Sequence, residues 1–133
     1  MALKIVPETE EVSNRPWSDV DKTALRQRLV RALEEKEDGA AEAIREVYAV
    51  IKGETLDDAP SENWWGPHHE VRGDRVILNR NGLIAAVAAL AGARTEEGPN
   101  LTPEQKRKAA RHLLRHYRNL EMEPPETLRK LAG

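Results

Sequence analysis

The 133-residue chain contains no cysteine and no phenylalanine, and only 4% of its residues are aromatic. Without cysteine, it can form neither a disulfide framework nor a thiolate metal site, and it has no thiol nucleophile. It also lacks any apolar run near the roughly 20 residues of a membrane span, and its start lacks the apolar region of a signal peptide. We therefore expect a protein that is intracellular or carried in a particle and that has no membrane partner.

Apolar residues make up 39% of the chain and charged residues 33%. This composition is enough for one domain with a modest aliphatic core and a heavily charged surface. Residues 1–15 hold one short apolar stretch followed by an acidic run, so we expect a flexible N-terminal arm with little structure of its own. Residues 16–133 are predicted to form a single helical domain.

Apolar residues at helical spacing predict five helices along the domain. The clearest start is Thr102-Pro103-Glu104-Gln105, which combines a capping threonine, proline at the first helical position and a glutamine that completes a capping box. Asn79 or Asn81 can cap the helix before it. The predicted ranges are about 22–36, 40–52, 82–92, 102–119 and 126–131.

The predicted helix 82–92 is rich in alanine and has no polar face, which is typical of a buried central helix. The segment 71–78 predicts two short strands around a Gly73-Asp74 turn, and this reading also explains the Arg72-Gly73-Asp74 tripeptide as turn chemistry. The predicted fold class is therefore mainly α, with four to five helices around a buried Ala-rich central helix and one small β-hairpin.

One predicted helix carries a basic stripe. Its members are Arg107, Lys108, Arg111, His112, Arg115 and Arg118. Phosphate backbones attract such a stripe through counterion release, which makes nucleic acid a possible partner. The stripe can equally be a solvated helix face or dock with the acidic half of the chain, because residues 1–62 carry a net charge of −6 and residues 63–133 one of +4.

The segment His68-His69-Glu70 suggests a metal site, because imidazole and carboxylate are ordinary zinc ligands. Adjacent residues of an extended chain point in opposite directions, so both histidines cannot easily reach one ion. Such a site needs a distant carboxylate from Asp57, Asp58 or the first helix. His68 and His69 are thus weak metal candidates, and we favour a structural loop with no cofactor.

Trp64 and Trp65 are candidates for binding a partner, together with the histidine pair. Exposed tryptophans often dominate protein interfaces, yet one of two neighbouring tryptophans is usually needed to fill a core. We therefore expect one to be buried and the other partly exposed. Trp17 is expected to fasten the first helix to the domain.

Several segments in order resemble a family of modules found in tailed-phage and prophage proteins, with or near head-morphogenesis proteins such as prohead proteases and capsid proteins. The resemblance covers roughly residues 16–131. It implies a protein partner, either a second copy of the chain or a phage head component, and a place in the host cytoplasm or within a phage particle. The segments that carry it are 16–25, 65–69, 78–94 and 116–126.

These observations predict a small, non-catalytic protein-interaction or assembly module linked to phage or prophage. The alternative is a nucleic-acid-binding protein that uses the basic stripe, and a third possibility is a small metal-dependent enzyme. An enzyme is disfavoured because the chain has no nucleophile elbow, phosphate-binding glycine loop or dinucleotide motif. Asp19, Asp21 and the histidine pair remain candidates for acid–base chemistry.

Overall fold

The computed structural model describes residues 2–52, 61–92 and 101–133. Five helices and five short strands lie within these residues, with single 3-10 turns at Trp17–Asp19 and Ser61–Asn63. The elements in chain order are β1 (Lys4–Ile5), α1 (Lys22–Glu34), α2 (Ala40–Val47), β2 (Tyr48–Ile51), β3 (Trp64–Pro67), β4 (His69–Arg72), β5 (Arg75–Leu78), α3 (Arg80–Leu90), α4 (Pro103–Asn119) and α5 (Glu126–Ala132).

The predicted helix starts are confirmed by hydrogen bonds at the caps. The Asp21 side chain accepts from Ala24 N at the start of α1, and the Asn79 side chain accepts from Gly82 N at the start of α3. Helix α4 begins with the full capping box of Thr102 and Gln105. These side chains satisfy backbone N–H groups that have no partner within the helix, which fixes where each helix begins.

The second helix is shorter than predicted, because the segment Tyr48–Ile51 is a strand and not a helical continuation. This strand pairs antiparallel with β3, and Val50 faces Trp65 across the ladder. Aromatic and β-branched residues favour such cross-strand packing, which outweighs the helical spacing of the apolar residues. The predicted cap at Gly53 lies outside the described residues, as do most of the predicted loops over 54–62 and 93–101.

The strands form two small sheets, so the described fold is mixed α and β and not mainly helical with a single hairpin. The predicted hairpin is confirmed as β4 and β5, and β1 adds to it in parallel to give the order β1-β5-β4. The second sheet contains β2 and β3. His68 joins the sheets, since its N–H donates to Val47 O while its carbonyl accepts from Asn79 N.

The core consists of two groups of buried aliphatic residues. One lies between α1, α2 and β2, around Leu29 and Ile44, and the other surrounds α3 and α4, around Leu83 and Leu113. Helix α3 was predicted to be buried on all sides, but it is not, because Ile84 is 48% exposed. Within the described part of the chain, no helix is both long and apolar enough to cross a membrane.

Residues 2–15, predicted as an arm, lie along the hairpin. Leu3 and Val6 are buried, and the amides of Val6 and Ser13 donate to the β5 carbonyls of Val76 and Leu78. The order of this segment thus comes from backbone pairing with β5 together with the burial of Leu3 and Val6.

Candidate metal centre

The four histidines of the chain converge in one place. His68 and His69 come from the junction of β3 and β4, while His112 and His116 lie one turn apart on α4. Their ring centroids are 4.5–5.2 Å apart for the pairs in contact. His68, His69 and His116 are at most 1% exposed. Such burial of three titratable rings is costly unless their nitrogen atoms find partners.

Local structure explains why both pairs turn inward. Residues four apart on a helix share one face, so His112 and His116 project together from α4. Helix α4 buries that side of its surface with Leu113 and Tyr117 nearby. Across the cluster from α4, His68 lies between β3 and β4, where the chain passes from one sheet to the other.

One nitrogen, His112 Nε2, contacts the Nε2 atoms of two other histidines. His68 Nε2 is 3.1 Å from His112 Nε2, which is 3.3 Å from His116 Nε2. A tetrahedral zinc ion bound at its usual Zn–N length of about 2.0–2.1 Å holds its nitrogen ligands about 3.3–3.4 Å apart. Two of the three nitrogen pairs therefore already have nearly the separation that a shared ion requires, and the ligand atoms of all three rings lie within 4.8 Å of one another.

The remaining nitrogens of two of these rings have oxygen acceptors. His68 Nδ1 donates to the carbonyl of Gly66 at 2.8 Å, and His116 Nδ1 lies 2.9 Å from Glu8 Oε1. A proton on Nδ1 leaves the lone pair on Nε2, the atom that faces the other rings. Metal-ligating histidines are commonly oriented by a carbonyl or carboxylate in this way.

A second group overlaps the first and consists of Glu46, His69 and His116. Glu46 Oε1 is 3.2 Å from His116 Nε2 and also pairs with Arg115. His69 Nδ1 is buried without a hydrogen-bond partner. Because His116 Nε2 has one lone pair and its Nδ1 contacts Glu8, the two groups describe neighbouring positions for one ion and not two separate ions.

The environment keeps most of these rings neutral. Burial, together with the neighbouring imidazoles, holds the pKa of His68 and of His69 well below 6.5, and it lowers the pKa of His112 to about 4. Burial opposes ionisation of Glu46, but the hydrogen bond from His116 and the charge of Arg115 outweigh it and lower the carboxyl pKa to about 2. Neutral imidazole and ionised carboxylate are the forms that bind metals.

Hydrogen bonds alone explain only some of the short contacts among the imidazole nitrogens. His112 Nε2 has three neighbours, namely His68 Nε2, His116 Nε2 and the carbonyl of Glu46, at 3.1–3.3 Å. A single proton on His112 Nε2 can form a hydrogen bond to one of these three neighbours.

The structure brings together some of the residues predicted from sequence and separates others. His68 and His69 both face the cluster, yet they belong to different groups of three. His112, predicted to lie on the basic stripe, lies in the cluster instead. Glu8, Glu46 and His116 were missed. The spacing of His112 and His116 on one helix face was the signal that could have indicated the site. Asp57 and Asp58 lie outside the described residues.

The basic stripe is partly occupied by contacts within the chain. Arg111 Nε donates to Ala132 O at 2.9 Å, and Arg115 pairs with Glu46. Lys108 lies 3.9 Å from Glu104, while Arg107 and Arg118 are exposed. The stripe is therefore not a row of six solvated cations.

The tryptophan pair behaves as predicted, since Trp64 is 3% exposed and Trp65 is half-buried. Trp64 packs with Tyr48, their ring centroids 5.4 Å apart. Trp17 lies against Gly82 at the start of α3, which links the segment before α1 to the domain as expected.

Comparison with known proteins identified no relative: no family model, curated protein or solved structure matches the chain.

Proposed function

We propose that this protein binds one divalent metal ion of the zinc class through the Nε2 atoms of His68, His112 and His116. The observation that carries the proposal is the contact of three imidazole nitrogens at 3.1 and 3.3 Å. Imidazole ligands suit zinc, copper, iron and nickel, and the absence of cysteine leaves histidine and carboxylate as the available strong ligands. Glu46, whose Oε1 lies 3.2 Å from His116 Nε2, can take the fourth position.

The role of the ion in this proposal is structural. Two of the three histidines are fully buried and His112 is partly buried, as in the closed sites that hold small domains together. The ion would link α4 to the junction of the two sheets. His68 at the junction and His112 on α4 are more than 40 residues apart in the sequence. The carboxylates of Glu8 and Glu46 would balance its charge. A metal-stabilised domain of this kind fits a binding or assembly role, and its link to phage head proteins rests on the sequence resemblance alone.

The adjacent histidines provide a matched pair of variants. Zinc content is measured after removal of bound metal with a chelator, reconstitution and gel filtration. We expect one zinc per chain for the wild-type protein and for His69→Gln, but a loss of zinc for His68→Gln. Arg118→Gln, on the exposed side of α4, is the control and should keep its zinc.

Thermal unfolding gives a second measure of binding. Zinc at a free concentration of 100 times its dissociation constant should stabilise the folded state by about 2.7 kcal/mol. No retained zinc and no shift of the melting temperature in the wild-type protein would reject the proposal. Zinc loss in His69→Gln but not in His68→Gln would instead assign the ion to the group of Glu46, His69 and His116.

A second candidate function is metal-dependent hydrolysis. It is favoured by the partial exposure of the Glu46 side chain, at 19%, beside the more exposed Arg115. Three histidines with an open fourth position are typical of catalytic zinc, and a nearby carboxylate can accept a proton from the bound water. Glu46→Gln separates the candidates: a structural site predicts weaker zinc binding, while a catalytic site predicts retained zinc and loss of hydrolysis of an activated ester.

A further inference from the structure

We infer that Glu8 is a positioning residue for the metal ligand His116, and that metal binding and docking of the N-terminal segment 2–15 favour each other. This inference rests on the proposed metal site. The N-terminal segment would then support the metal site in addition to packing along the hairpin.

The contact between the segment and the site is direct. Glu8 Oε1 lies 2.9 Å from His116 Nδ1 and accepts a hydrogen bond from Asn119 Nδ2 at 2.7 Å. The Glu8 side chain is 10% exposed, although its neighbours Pro7 and Thr9 are exposed. The carboxylate is therefore turned inward against α4, while the backbone around it faces solvent.

The chemistry of this contact matters for a ligand. An acceptor at Nδ1 keeps a proton on that nitrogen, so Nε2 is the atom left to bind an ion, once it releases the proton that it shares with Glu46. A carboxylate in this position also makes the imidazole a stronger ligand, and loss of such a partner typically weakens metal binding 10–100-fold.

The remainder of the segment is held by backbone pairing. The amides of Lys4, Val6 and Ser13 donate to the carbonyls of Asp74, Val76 and Leu78 at 2.7–2.9 Å. Glu8 lies between these bonds, so undocking of the segment withdraws the carboxylate from His116. By linkage, any factor by which docking strengthens zinc binding is also the factor by which zinc favours docking.

The test measures zinc affinity by chelator competition in full-length variants. We expect Glu8→Ala to bind zinc 10–100 times more weakly than the wild-type protein. Glu8→Gln, which keeps an acceptor oxygen without the charge, should be intermediate. The matched control is Glu11→Gln on the same segment, because Glu11 pairs with Arg75 away from the histidines; its zinc affinity should not change.

Hydrogen exchange supplies the reciprocal measurement. Zinc should slow exchange of the Val6 and Ser13 amides in the wild-type protein, and by a smaller factor in Glu8→Ala. Wild-type zinc affinity in a folded Glu8→Ala, or equal protection of these amides with and without zinc, would overturn this inference while leaving the metal site intact. Failure of the wild-type protein to bind zinc would instead remove the metal site itself, and this inference with it.

Discussion

Asn79 offers a test of how the buried polar network holds the domain together. The side chain is fully buried and makes three hydrogen bonds to separate parts of the chain. Its Oδ1 accepts from Gly82 N at 2.7 Å, and its Nδ2 donates to Arg15 O at 3.1 Å and to Glu70 Oε2 at 3.2 Å. One residue therefore connects the start of α3, the N-terminal segment and β4.

The cost of Asn79→Ala follows from these bonds. Loss of the helix cap costs about 1 kcal/mol. Arg15 O keeps a partner because it also accepts from Asn81, so loss of that bond should cost about 0.5–1 kcal/mol. Glu70 Oε2 loses its bond while Arg72 pairs with the other oxygen, Oε1, so this loss carries a desolvation cost of about 1–3 kcal/mol. We expect a total loss of about 3–5 kcal/mol in the free energy of unfolding, or roughly 10–20 °C in melting temperature.

Asn79→Asp separates the cap from the rest of the network. Aspartate caps a helix about as well as asparagine, so a residue that acted only as a cap would tolerate the change. Here the new carboxylate cannot donate and lies beside Glu70, so we expect a loss at least as large as that of the alanine variant. Asn81→Ala is the control. The Asn81 Nδ2 donates to the carbonyls of Asn14 and Arg15 at exposed positions, so its loss should cost under about 1 kcal/mol. Urea unfolding that finds the aspartate variant as stable as wild type refutes this reasoning.

Other consequences can be tested by unfolding experiments. A methyl group at Gly82 would lie 2.7 Å from the Trp17 ring, so Gly82→Ala should destabilise the protein by about 1–3 kcal/mol; a higher melting temperature contradicts this packing. Leu83→Ala, at a fully buried position, should cost about 2–5 kcal/mol in urea unfolding, and an unchanged midpoint would show that the site is not packed. Thr102→Ala removes the cap of α4 and should cost about 1 kcal/mol, whereas Thr102→Ser should cost little. In zinc-free protein, the pKa of His112 is lowered to about 4, so on acidification the unfolded chain binds a proton at this residue before the folded chain does. His112 should therefore leave the free energy of unfolding unchanged above pH 6.5 and lower it by about 3 kcal/mol as the pH falls to about 4. Denaturation curves at several pH values should show a weaker pH dependence for His112→Gln.

The helices were largely predictable because their signals are local. The capping box at Thr102 and the cap at Asn79 specify helix starts through side chains within three residues of the bonds they make. The strand Tyr48–Ile51 was not predictable in this way, since its partner strand begins at Trp64. A helical spacing of apolar residues cannot exclude a strand when the deciding contacts come from distant sequence.

The candidate site was visible only in part for the same reason. The pair His112 and His116 carries a local signal, four residues apart on one helix face. Its approach to His68 depends on the packing of α4 against the sheet junction, which no local pattern encodes. The inward turn of Glu8 depends on pairing of the N-terminal segment with β5 and could not be inferred from an acidic run that is typical of solvated chain.

The position of His68 at the junction of the two sheets has a consequence for experiments on folding. Its backbone continues both hydrogen-bonded ladders, while its ring contacts α4. A slip of one residue in either ladder would turn the side chains of that strand to the opposite face and carry the imidazole away from His112. The rate at which a bound ion escapes to a chelator would therefore report, without any added label, how often either small sheet opens in the native protein.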